Sequence, residues 1–192
     1  MSTLSRATLP ELIGVAEQNS VRVRESFGQC TPAQLAWKSR PEEWSIGQCL
    51  EHLNLATKVY FPKIRAVNTG SYRTRPVERL PLLPQLGAAL LLRILDPQAS
   101  IAVPAPPGVQ PPELVAGPQA LDDFLIMQRT LIDHMRASVG PELERRVITS
   151  PIAAIMTYSL IDAYRIIVVH ELLHIQQAER VMVRQQEHMQ GR

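Results

Sequence analysis

Cysteine is nearly absent from this chain. Its two residues, Cys30 and Cys49, are too few for a disulfide framework and suit a protein kept in a reducing cytoplasm. Charge of one sign is missing as well: a formal net charge of +2 and no long basic run give no reason to expect a nucleic-acid partner. The N-terminus, MSTLSRATLP, has no apolar run of the kind a signal peptide carries. No long uninterrupted hydrophobic stretch occurs either. The nearest, Leu80 to Asp96, contains Pro84 and Arg93 and falls short of the roughly 20 apolar residues that a membrane span needs. A short buried helix is the expectation there, and a cytoplasmic protein without membrane contact is the expectation for the whole.

Internal repeats and convincing strands are lacking too, while helical periodicity is plentiful. With 192 residues, 45% of them hydrophobic, the chain can bury one sizeable core, so a single domain over 1–192 is expected. A first helix is predicted over residues 9 to 28, capped by Thr8, with Pro10 in its first turn and Gly28 after its end. The segment TPAQLAWKSRPEEW reads as a connector broken by Pro32 and Pro41. Ser45 followed by Gln48 is a capping-box pattern, with Trp44 before it, and opens a second helix predicted to reach about Asn68. Residues 70 to 117 form a long connection that includes the proline-rich AVPAPPGVQPPELVAGP, which excludes a regular helix or central strand. The third helix is predicted from Pro118 to Ser138, stopped by Gly140-Pro141. VITSPIAAIMTY, interrupted by Pro151, reads as an extended or single-turn approach to the last helix. Ser159 and Asp162 cap that helix, which runs to about Gln186. The result is an all-α four-helix bundle with a long crossover between helices two and three.

Five histidines are the candidates for chemistry. His188 lies in a polar tail and reads as solvated. His134, near the end of the third helix, reads as a residue interacting with the helix C-terminal dipole. His170 and His174, four residues apart, share one face of the last helix, and Gln177 returns to that face. His52 lies on the flank of the second helix. Three imidazoles held from two rigid elements, with open positions for water or substrate, make a catalytic arrangement for zinc, and imidazole also suits nickel, copper and iron. Buried histidines also serve as hydrogen-bonded core residues, and spacing alone leaves both readings open. HELLH has the spelling of a zincin motif, with Glu171 as its general base, but the chain offers neither a third ligand downstream nor a substrate-holding edge strand. Cys49, one turn before His52, reads as a small buried hydrophobe, and Glu51 as a solvated neighbour.

WSIGQCLEHLNLA, from Trp44 to Ala56, and VVHELLHIQQAERV, from Val168 to Val181, resemble the second-helix and last-helix signatures of the DinB-like superfamily, the latter read as HExxHxxQxxR. The resemblance implies a four-helix bundle with the long crossover. It implies a divalent metal, nickel or zinc, on His52, His170 and His174. Gln177 and Arg180 match the trailing positions: Gln177 is expected to orient an imidazole or a bound water, and Arg180 and Glu171 are expected to form ion pairs at the bundle edge. The proline-rich connection departs from the shortest relatives. The activity implied is transfer of a low-molecular-weight thiol to a small-molecule substrate, with metal-activated thiol or water as nucleophile. A metal-dependent hydrolase and a non-catalytic, metal-binding stress-response bundle are the alternatives. Dimers are frequent among relatives, and the apolar Leu80 to Leu95 segment is the surface expected for a homodimer.

Overall fold

The computed structural model of the protein describes residues 3–79, 83–95, 104–138, 140 and 142–190. Four helical columns form the bundle: α1 (Leu9–Phe27), α3 (Ile46–Lys58), α6 (Gly117–Ala137) and α8 (Leu160–Gln190). α1 and α3 each pack against both α6 and α8, so the order around the bundle is α1, α6, α3, α8. Shorter helices α2 (Pro32–Ala36), α4 (Phe61–Asn68), α5 (Leu83–Ile94) and α7 (Glu142–Arg145) lie between them. The all-α bundle with its long crossover is therefore the fold.

The caps read from sequence are formed. The Thr8 backbone N–H donates to the Glu11 carboxylate at 2.7 Å. Ser45 and Gln48 exchange two hydrogen bonds, each 3.1 Å, at the start of α3. At the start of α8 the Asp162 N–H donates to Ser159 Oγ. Three expectations need correction. The second helix does not run unbroken to Asn68: it ends at Lys58 and restarts as α4 at Phe61. Pro62 explains the break, since it lacks an N–H and its ring would meet the carbonyl of Lys58 in a continuous helix. The connector at Pro32 is a short helix, because Pro32 sits in its first turn and Thr31 and Gln34 close a capping box. Finally, strands are not absent: the approach to the last helix is extended, one of its two expected forms, and its ends pair as a small antiparallel hairpin, β1 (Val147–Thr149) with β2 (Thr157–Ser159). β-branched and aromatic side chains supply the strand preference there, and Pro151 falls in the turn.

The helix expected over Leu80 to Asp96 is described from Leu83 to Ile94; residues 80–82 and 96 lie outside the described residues. It is buried on one side only. Ala88 and Leu92 join the core, while Leu86 and Leu90 face outward. Gly87 lies flush against the hairpin: a Cβ at that position would come within 2.6 Å of the Thr157 carbonyl oxygen. No helix among the described residues is long and apolar enough to cross a membrane.

The apolar core divides along α8. One cluster gathers the apolar residues of α8 from Leu160 to Val169, Tyr164 among them, with Leu131, Met135 and Tyr158. The other gathers Ile175, Ala178 and Val181 with Leu50, Leu53 and Phe124. Between them, at the level of residues 170 and 171, the interior turns polar.

Candidate metal centre

α3 and α8 face one another across that polar level. α3 carries His52, fully inside, and α8 carries His170 and His174, each half-buried at the wall of a cavity of about 770 Å³. One nitrogen from each of the three rings lies within 4.8 Å of the others. His52 Nε2 and His170 Nε2 are 3.1 Å apart. Two nitrogens each bound at about 2.0–2.1 Å to a single ion lie roughly 3.0–3.4 Å from one another, so this spacing suits a shared cation. Among the described residues no other group of histidines, cysteines or carboxylates converges in this way.

Hydrogen bonds fix which nitrogen of two rings is free. His52 Nδ1–H donates to the Val109 carbonyl oxygen at 2.7 Å. A carbonyl only accepts, so the proton is on Nδ1 and the Nε2 lone pair points toward His170. His174 Nδ1–H donates to Gln177 Oε1 at 2.8 Å, leaving its Nε2 free in the same manner. The contact between His52 Nε2 and His170 Nε2 then requires either a proton on His170 or a cation between the two. Burial favours the neutral form of all three rings. It lowers the pKa of His52 against the opposing bond to Val109, and brings that of His174 down to about 3 with help from His52 and Arg180. His170 is depressed well below the usual range by burial and then by its two neighbours. Neutral imidazoles with directed lone pairs are the state a divalent ion binds. The donor set fits the metal implied by the resemblance.

Trp44 closes one side, its ring 4.8 Å from that of His52 and 5.6 Å from that of His174, centroid to centroid. The Ser45–Gln48 cap places Trp44 at the mouth of α3. Gln48 also donates to the Pro112 carbonyl at 3.0 Å, which ties α3 to the proline-rich connection that supplies Val109. The connection is thus part of the site. Nothing in residue spacing pointed to Val109, because a backbone carbonyl has no sequence signature. Trp44 was legible only as a helix staple.

Several expectations are refined here. Gln177 Oε1 lies 2.8 Å from His174 Nδ1, the contact that an imidazole-orienting residue would make. Glu171 does not form an ion pair at the bundle edge: it is fully buried at the bundle centre, where Asn19 Nδ2 and Gln128 Nε2 donate to its Oε2 at 3.1 and 2.8 Å. Among the described residues no cation neutralises it, and burial raises its pKa to about 7 against those two hydrogen bonds. A glutamine amid the apolar stripe of the third helix was the available signal for this centre. Arg180 is exposed at the cavity mouth and makes no ion pair among the described residues. Cys49 is fully buried, outside the three-histidine group, and burial pushes its thiol up to about 12, so it behaves as a small hydrophobe. Glu51, half-buried, accepts a long hydrogen bond from Asn54 at 3.4 Å. His134 packs on Phe61, and burial with nearby Arg65 lowers its pKa against the opposing charge of Asp133. His188 is exposed beside Trp37.

The sequence pattern that defines the DinB superfamily matches residues 16–178 of the chain. That span includes α3, α6, all three histidines and Gln177. No curated protein and no solved structure matches the chain.

Proposed function

The chain belongs to the DinB superfamily, and on that premise we propose that His52, His170 and His174 hold a divalent ion, nickel or zinc, and that the protein is a metal-dependent thiol S-transferase. The observation that carries this reading is the convergence of three neutral imidazoles, two of them with defined lone pairs, on the wall of a cavity large enough for a small-molecule substrate beside a thiol. An ion at that point would activate a thiol or water as a nucleophile at neutral pH.

The chain's own residues prepare the site for that chemistry. The Val109 carbonyl and the Gln177 amide oxygen lock the tautomers of His52 and His174. Trp44 shields two of the rings from water. Glu171, sealed in the bundle centre, is in no position to move a proton at the cavity, which removes the zincin-like role its place in HELLH suggests. Free Cys30 and Cys49 accord with work in a reducing cytoplasm, where low-molecular-weight thiols are available.

Metal analysis of purified wild-type protein beside His170→Ala tests the centre. Close to one divalent ion per chain is expected in the wild type and almost none in the variant; equal content would exclude the three-histidine site. With metal bound, screening bacillithiol, mycothiol and glutathione as thiol donors tests the reaction. Transfer from one of them is expected, and silence with all three would favour a hydrolase or a non-catalytic binding bundle.

A further inference from the structure

The cavity beside the histidines is polarised along α8. One turn before His170, Ile166 and Ile167 line the cavity together with Leu91 and Ile94 of α5 and with Ile152 and Met156 from the hairpin turn. The Tyr60 hydroxyl in this region is already bonded to Tyr158 at 2.8 Å, so it adds little free polarity. Beyond His174 the lining changes character. Gln177 and Arg180 follow, with Glu42 and Glu43 opposite. Glu43 is taken by Arg184 at 2.7 Å. Arg180 is the only cation among the described residues that line the cavity, and it makes no ion pair among them. Ile167 and Arg180 are 13 residues apart, about 20 Å along the helix axis, with the imidazoles between them.

We infer that the substrate of this site is an amphipathic small molecule: an apolar body of medium-chain size seated between α5 and the first half of α8, carrying one anionic group that Arg180 receives. A guanidinium that makes no ion pair among the described residues, although Glu42 and Glu43 line the same mouth, is free to receive an anion there. An apolar wall of this extent leaves room for hydrocarbon and offers few partners for a polar body. The inference rests on the proposed metal reading only in placing the reacting atom beside the histidines; the two seats stand on their own geometry.

Binding to metal-free protein therefore separates the two readings. Straight-chain alkanols and alkanoates from six to twelve carbons are titrated by calorimetry at pH 7.5. Each added methylene is expected to tighten alkanol binding about fourfold until the apolar seat is full. Alkanoates are expected to bind more tightly than alkanols of equal length. Arg180→Gln is expected to abolish that advantage while leaving the alkanols unchanged. Ala153→Trp, which fills the half-buried wall beside Ile152, is expected to flatten the chain-length series, and Ala153→Phe to shorten it; thermal melts check that both variants fold. Alkanol affinities independent of length, or a series unchanged by Ala153→Trp, would overturn the apolar seat. Equal affinities for alkanol and alkanoate in the wild type would overturn the anionic one. Neither outcome depends on whether the histidines hold an ion.

Discussion

His170 and Glu171 are adjacent on α8, yet they serve two different regions. Successive helical residues turn by about 100°, so one side chain opens on the cavity beside α3 while the next points to the bundle centre between α1 and α6. Both regions are withdrawn from bulk solvent to different degrees, and burial favours the neutral form in each: it lowers the pKa of the imidazoles and raises that of the carboxyl to about 7. The consequences differ because the neutral forms differ. A neutral imidazole retains a lone pair with which to bind a cation, whereas a protonated carboxyl has surrendered most of its power as a ligand or base. Among the described residues the Glu171 Oε1 atom has no hydrogen-bond partner, and the amides of Asn19 and Gln128 donate to Oε2. Burial thus leaves three converging imidazoles on one face of the helix and a buried polar layer on the other.

Crossing the two positions is the most severe test of that separation. His170→Ala is expected to remove the bound ion almost entirely while leaving the bundle folded, since the residue it truncates is half-buried at a cavity wall. Glu171→Gln, isosteric with the protonated carboxyl, is expected to keep close to one ion per chain. Metal content measured together with far-ultraviolet circular dichroism decides it: loss of the ion in Glu171→Gln would make the two regions one. A smaller effect sharpens the histidine side. Gln177→Ala removes the acceptor that holds His174 Nδ1–H, and metal affinity is expected to fall 10- to 100-fold with the fold intact. Competition with a chromogenic chelator measures this, and an unchanged affinity would leave Gln177 without a positioning role.

Most of the bundle and the three histidines were legible because periodicity, caps and i, i+4 spacing are local signals. Ser45 with Gln48 marked the start of α3, and His170 with His174 marked a single face of α8. What escaped was set by tertiary packing. Val109 reaches His52 through a backbone carbonyl, which any residue would supply. Glu171 read as an edge residue because charged side chains are rarely buried without a partner; its partners, Asn19 and Gln128, are 152 and 43 residues away. The hairpin at Val147–Thr149 and Thr157–Ser159 was masked by strands of three residues, too short for alternation to show. Pro62 was the missed local signal, since its position alone dictates the break between α3 and α4.

The pH dependence of stability tests the other side of the comparison. The carboxyl of Glu171 has its folded-state pKa raised from 4.5 to about 7, so the folded protein binds a proton that the unfolded chain releases earlier. Its contribution to stability is fully present below pH 4.5 and is lost as pH rises through 7. The histidines act in the opposite sense. Their pKa values are lowered, so their contribution is present above 6.5 and is lost as pH falls through the folded values, about 3 for His174. Metal-free wild type and metal-free Glu171→Gln share the histidine component, which cancels when the two are compared at each pH. What remains is the carboxyl alone. Urea unfolding from pH 5.5 to 7 should show the variant gaining on the wild type by about 1–2 kcal/mol, with a slope no steeper than about 1.4 kcal/mol per pH unit for one proton. A difference that stays flat across that window would mean that Glu171 is ionised throughout. The bundle centre would then hold a buried carboxylate on two amide donors, and neutrality would belong to the histidine face alone.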